Sequence, residues 1–180
     1  MKISKSEIFN VFEWIAVYIV AVYMIIYGVS KPMQFGDFQS YREPINSLDP
    51  MNLMWAFYSF SKPYAVIIGV FEVLGAVLLM IPRTRIFGGF VLSSILINII
   101  LQDYFFKVHA GALANAILFQ LLILIILFKH RVKILDAFKI LSGKFIFKIR
   151  WIYIPIGILM IAIIELLMLS INYLIKYLNP

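Results

Sequence analysis

The stretch Tyr64-Ala65-Val66-Ile67-Ile68-Gly69-Val70-Phe71-Glu72-Val73-Leu74-Gly75-Ala76-Val77-Leu78-Leu79-Met80, then Ile81-Pro82-Arg83-Thr84-Arg85, then the apolar run opening at Ile86, decides the fold. The first run carries one charge, Glu72, and has a length at which a helix crosses a hydrocarbon core. The break after it is too short for anything but an antiparallel helical hairpin. Working outward, further spans are predicted from about Ile8 to Val29, Ile86 to Phe106, His109 to Phe128 and Trp151 to Ile175, each bounded by charge or proline. The expected fold is an all-α membrane protein with five spans. The first span follows Lys2 and Lys5, but it is too apolar and too long for a signal peptide and contains Glu13, so it is expected to be retained.

Composition agrees with this reading. Of 180 residues, 63% are hydrophobic and only 14% charged, far from a soluble domain or a disordered chain. The +7 net charge sits between the apolar runs rather than on a basic face, so no nucleic-acid partner is expected. The chain has no cysteine, so it supplies no disulfide, dithiol relay, thiolate ligand or iron–sulfur cluster. His109 and His130 fall at opposite ends of the fourth span, too far apart to share one metal ion or haem, and no metal site is expected. Phosphate-loop and hydrolase motifs are missing, so catalytic residues remain unassigned.

Basic residues set orientation. One set of loops holds Lys2, Lys5, Arg83, Arg85, Lys129, Arg131, Lys133, Lys139, Lys144, Lys148 and Arg150, and the other only Lys31, Arg42, Lys62, Lys107 and Lys176. The N-terminus is therefore expected in the cytoplasm, and the segment 31–63 and the C-terminus outside. Within 129–150, Ile134, Leu135, Phe138 and Leu141 recur at helical spacing among seven basic residues, which predicts an amphipathic helix on anionic lipid. Pro50 opens a short apolar stretch through Phe60, expected to cap the bundle or dip into the outer interface. Tyr27, Trp55, Tyr58, Tyr64, Tyr104, Trp151, Tyr153 and Tyr173 fit interfacial belts.

Carboxyl groups inside spans are costly unless they face protein or water. Glu13 is shallow enough to snorkel and is the weakest candidate. Glu72 lies about 12 Å below the outer edge and Glu165 about 15 Å, at 1.5 Å per residue. Gly69, Glu72 and Ala76 share one helix face, which turns Glu72 toward neighbouring helices. Asn98, Gln102 and Asn115 reach compatible depths, so the expected partners of Glu72 are these amides, either as interhelical glue or as the polar end of a ligand site lined by Phe71 and Phe105.

The residues Met54-Trp55-Ala56-Phe57, Ser61-Lys62-Pro63-Tyr64, Gly69 to Leu79, the Arg83-Thr84-Arg85 turn and the exit Tyr27-Gly28-Val29-Ser30-Lys31 together resemble the DoxX-like membrane family over about Ile8 to Phe128. The resemblance implies a four-helix core in a bacterial inner membrane. The organisation is then 1–128 as core, with its outer loop 31–63, 129–150 as a basic cytoplasmic segment and 151–180 as an added span. It also implies association with quinone-linked or other membrane redox complexes. A charge pair of that family falls here on Lys107 and Gly111 and is lost, with Asp103 and Lys107 as a local replacement if the third helix continues so far. The expected function is an accessory subunit of a redox or envelope-stress system that binds a quinone or small amphiphile through Glu72, Asn98, Gln102 and Asn115. Lys31, Asp103, Lys107 and Glu165 are secondary candidates. The alternative is a non-enzymatic scaffold whose outer loop and fifth span dock a protein partner.

Overall fold

A computed structural model describes residues 4–143 and 151–178. Its described residues form seven α-helices: α1 Lys5–Gln34, α2 Pro50–Phe60, α3 Lys62–Met80, α4 Arg85–Phe105, α5 Ala110–Lys129, α6 Arg131–Ser142 and α7 Tyr153–Leu178. Five of them, α1, α3, α4, α5 and α7, are long and apolar enough to cross a membrane. The chain divides into two compact units, Met1–Phe138 and Lys139–Pro180. The last part of the predicted basic segment, 144–150, lies outside the described residues.

Helix ends follow local chemistry. Ser4 and Glu7 form a reciprocal capping box at α1, with the Glu7 amide donating to Ser4 Oγ and the Ser4 amide to Glu7 Oε2. Asp49 Oδ1 accepts the amides of Met51 (3.0 Å) and Asn52 (3.1 Å) at α2, where Pro50 needs no donor of its own. In the α3–α4 hairpin, the Thr84 hydroxyl donates to the Leu78 carbonyl (2.9 Å) and Arg85 Nε to that of Leu79 (3.2 Å), satisfying orphan acceptors at the end of α3.

In the first unit α1 packs on α3 and α5, and α4 packs on the same two helices. Their shared core includes Val17, Val20, Met24, Leu79, Leu92, Leu96 and Ile123. A second, smaller core of Phe35, Met54, Tyr58 and Ala65 forms where α2 lies over one end of these helices. That end, called here the α2 end, carries the C-termini of α1 and α4 and the N-termini of α3 and α5.

α1 continues through Pro32 to Gln34, beyond its apolar run. Proline at position 32 has no N–H for the Gly28 carbonyl. That carbonyl turns toward Gly69 of α3, and the two glycines meet backbone to backbone: a Cβ on Gly28 would stand 2.5 Å from the Gly69 oxygen. Such contact requires residues without side chains on both helices and permits Cα–H···O interactions between them.

Candidate functional site

The Gly28–Gly69 contact sets the position of Lys31, one turn further along α1. The Lys31 stem lies over Gly69, where a Cβ would come within 3.0 Å of Lys31 Cγ. It reaches past this notch into the bundle, bringing Nζ to 3.4 Å from Glu72 Oε1. Glu72 has no exposed surface, and neither of its carboxylate oxygens receives a hydrogen bond. The ammonium is near enough for ion pairing but out of line for a hydrogen bond.

Two cavities adjoin this pair. One, of about 500 Å³, lies behind Phe35, Tyr58, Tyr64 and Phe71 and reaches Asn98 and Gln102. The other, of about 340 Å³, lies between Tyr27, Trp55, Glu72, His109 and Asn115. Lys31, Gln34 and Asp103 line both. Tyr58 is buried, stacks on Phe35 at 4.6 Å between centroids, and donates its hydroxyl hydrogen to Gln102 Oε1 at 2.8 Å. Burial pushes the Tyr58 phenol above its ordinary value, and the bond to Gln102 opposes this only in part. Tyr58 is thus a wall of the cavity rather than part of an interfacial belt.

The predicted amide partners do not reach Glu72. Gln102 is committed to Tyr58, Asn98 lines only the first cavity, which Glu72 does not line, and Asn115 shares the second cavity with Glu72 without a hydrogen bond to it. The reason is the helical continuation past Pro32, which carries Lys31 inward from what reads as a loop. Asp103 is buried and interacts electrostatically with Lys31 and His109. It makes no ion pair with Lys107, because α4 stops at Phe105 and Lys107 turns away in a left-handed conformation (φ 53°). The Val108 amide then closes on the Asp103 carbonyl at 3.0 Å, a Schellman-type end. Phe105 is exposed and lines neither cavity. Glu165 lies along α7 in the second unit.

The donor set suits a polar head on an apolar body. Lys31 offers N–H groups, and Glu72 and Asp103 offer acceptors. Gln102 retains its amide donors. At His109 the Nδ1 accepts the Ala112 amide (3.3 Å), which leaves Nε2 to meet a ligand. Among the described residues no group of three or more His, Asp or Glu side chains is gathered to hold a metal ion.

The uncharacterised protein YwoB of Bacillus subtilis (strain 168) is 33% identical over 116 residues, which cover 63% of this chain and 73% of YwoB. The chain belongs to the YwoB family. No family model matches it, and no solved structure does.

This YwoB-family chain holds a second polar cluster at the opposite end of the helices. Arg85 donates to Glu13 Oε1 at 2.7 Å, His130 Nε2 lies 2.8 Å from the same oxygen, and Lys129 donates to Glu13 Oε2. Arg85 also lies over the Trp14 ring, 4.1 Å from its centroid. Glu13 is therefore a buried hub joining α1, α4 and α5 rather than a snorkelling surface group. Sequence reasoning missed the cluster because its cations belong to turns that read as topology signals. The clue was a carboxyl on α1 at the level of Arg85 and Lys129.

Proposed function

We propose that this chain is a multi-pass protein of a bacterial inner membrane that holds a small amphipathic molecule, quinone-like in having a hydrogen-bonding head on an apolar body, in the α2-end cavities. The observation that carries this is Glu72: a fully buried carboxylate facing Lys31, with both oxygens lacking hydrogen-bond donors, in the wall of the smaller cavity, whose Lys31 and Asp103 also line the aromatic-walled one. Buried polar groups are ordinarily satisfied, so an unsatisfied one at a cavity is an available ligand contact. Lys31 and Gln102 donate to the head, Glu72 and Asp103 accept from it, and Phe35, Tyr58, Tyr64 and Phe71 cover the body. The DoxX-like resemblance supports a four-helix core and a place beside a membrane redox or envelope-stress complex. The excess of basic residues supports a cytoplasmic N-terminus, an outer α2 end and contact of α6 with anionic lipid.

Mass spectrometry of an organic extract of the purified protein tests the ligand. A quinone or comparable amphiphile in stoichiometric amount, with added quinone raising the melting temperature of the native chain but not of Glu72→Gln, is expected. No bound amphiphile and no shift would overturn the reading. Orientation is tested by single cysteines, since the native chain has none. Ser47→Cys should react with an impermeant reagent from outside the cell, and Ser142→Cys should not.

A second reading, a scaffold that docks a protein partner, is supported by Phe57 and Phe60 of α2, which remain 61% and 72% exposed at the α2 end. Mild-detergent pull-down of one stoichiometric partner, lost in a Phe57→Ser, Phe60→Ser variant, is its expected signature.

A further inference from the structure

At the end of the first unit opposite α2, a groove of about 790 Å³ runs between α1 and α5. Its apolar walls include Phe9 and Phe12 on α1 and Ile125 and Phe128 on α5, each between 63% and 68% exposed. Lys129 spans the groove at its end, with Nζ donating to Asn10 Oδ1 at 2.7 Å and to the Phe9 carbonyl at 3.5 Å. Arg131 stands at the mouth. Its guanidinium lies over the Phe128 ring, 4.7 Å from the centroid, and one N–H donates to the Phe128 carbonyl at 3.3 Å. The rest of that guanidinium meets no protein acceptor among the described residues.

The charge here is unbalanced. Arg85, Lys129 and His130 converge on a single carboxylate, Glu13, while Arg131 lines the same groove without an ion pair to it. The other carboxylate of this stretch of α1, Glu7, accepts from the Ser4 amide at 2.7 Å and does not line the groove. A cationic rim fixed by an aromatic ring, above walls that only hydrocarbon would fill, defines its occupant by chemistry. A soluble anion would reach Arg131 but leave the groove empty, and a zwitterionic lipid would bring its own cation beside Lys129 and Arg131 along with its phosphate.

We propose that this groove binds a phospholipid with an anionic headgroup, one acyl chain lying between α1 and α5 and the phosphate held by Arg131 beside Lys129. The site is separate from the α2-end cavities and does not depend on what they hold. It gives the basic start of α6 a defined contact rather than diffuse attraction to a charged surface.

Native mass spectrometry of the full chain in detergent, titrated with phosphatidylglycerol or phosphatidylcholine of identical chains, tests the proposal. Phosphatidylglycerol is expected to be retained the more strongly, and Arg131→Gln to weaken its binding about fivefold, the effect of about one basic side chain at a lipid surface. Lys133→Gln, on α6 but outside the groove, is expected to leave the preference unchanged. Ile125→Trp, which fills the groove, is expected to remove both lipids while melting as the native chain does. Equal retention of the two lipids, equal effects of Arg131→Gln and Lys133→Gln, or a dimer whose formation excludes lipid would overturn the proposal.

Discussion

Lys31 Nζ stands 3.4 Å from Glu72 Oε1, and its stem reaches there across Gly69, through space that any side chain on that residue would occupy. Helix packing and site chemistry are thus one arrangement: the backbone contact of Gly28 with Gly69 is what lets a cation from the end of α1 reach a carboxylate buried on α3.

Gly69→Ala is expected to destabilise the protein by about 1–3 kcal/mol, the usual result of forcing a methyl group into a filled contact. Gly111→Ala serves as control, because a Cβ there meets only the His109 ring at 3.6 Å. It should be neutral or slightly stabilising, since alanine is the better helix former. Thermal melting in detergent separates the two.

The ion pair predicts strong non-additivity. Lys31→Met leaves Glu72 as a buried, uncompensated carboxylate and is expected to cost about 3–5 kcal/mol. The double variant Lys31→Met, Glu72→Gln is expected to recover most of that loss, because both charges leave together. Melting of the two single variants and the double variant measures the coupling, and simple additivity would contradict the pairing.

How much of this was legible in the sequence depended on where each partner sat along the chain. The spans showed because each is a run of apolar residues near membrane length, and α2 showed because Pro50 follows Asp49 at a helix start. The inward face of Glu72 showed through its spacing from Gly69 and Ala76. Its pairing with Lys31, a residue legible only as a secondary candidate, did not, because the apolar run ends at Val29 and Pro32 reads as a breaker, although a proline deprives only one carbonyl of its donor and the helix can continue. The Glu13 cluster joins residues 72 to 117 positions apart, which no local periodicity reveals.

Glu13→Ala removes the one carboxylate that Arg85, Lys129 and His130 share. Arg85 is buried and cannot turn to water, so the expected cost is about 3–5 kcal/mol. Combining Glu13→Ala with Arg85→Met should restore part of it. Chemical unfolding in mixed micelles provides the comparison. Similar stability of Glu13→Ala and the native chain would mean that the cluster is open to water.

Tyr58 predicts an alkaline signature. Its folded value lies above the ordinary phenol value of about 10, so the folded protein holds that proton more tightly than the unfolded chain does. The resulting stability is fully present below about pH 10 and is lost as the pH rises through the folded value. Near-ultraviolet difference titration of the native chain against Tyr58→Phe should show the missing tyrosinate appearing later than an ordinary phenol. The same substitution should cost about 1 kcal/mol near neutral pH through the lost bond to Gln102.

The central claim, that the α2-end cavities hold an amphiphile at the Lys31–Glu72 pair, is tested most directly by photolabelling the full chain with an azidoquinone and mapping the modified peptides. The account predicts label on the cavity walls, within 54–71 and 91–103, displaced by excess unmodified quinone and sharply reduced in Lys31→Met. Label spread evenly over the lipid-facing helices, or confined to the α1–α5 groove and unchanged in Lys31→Met, would contradict it.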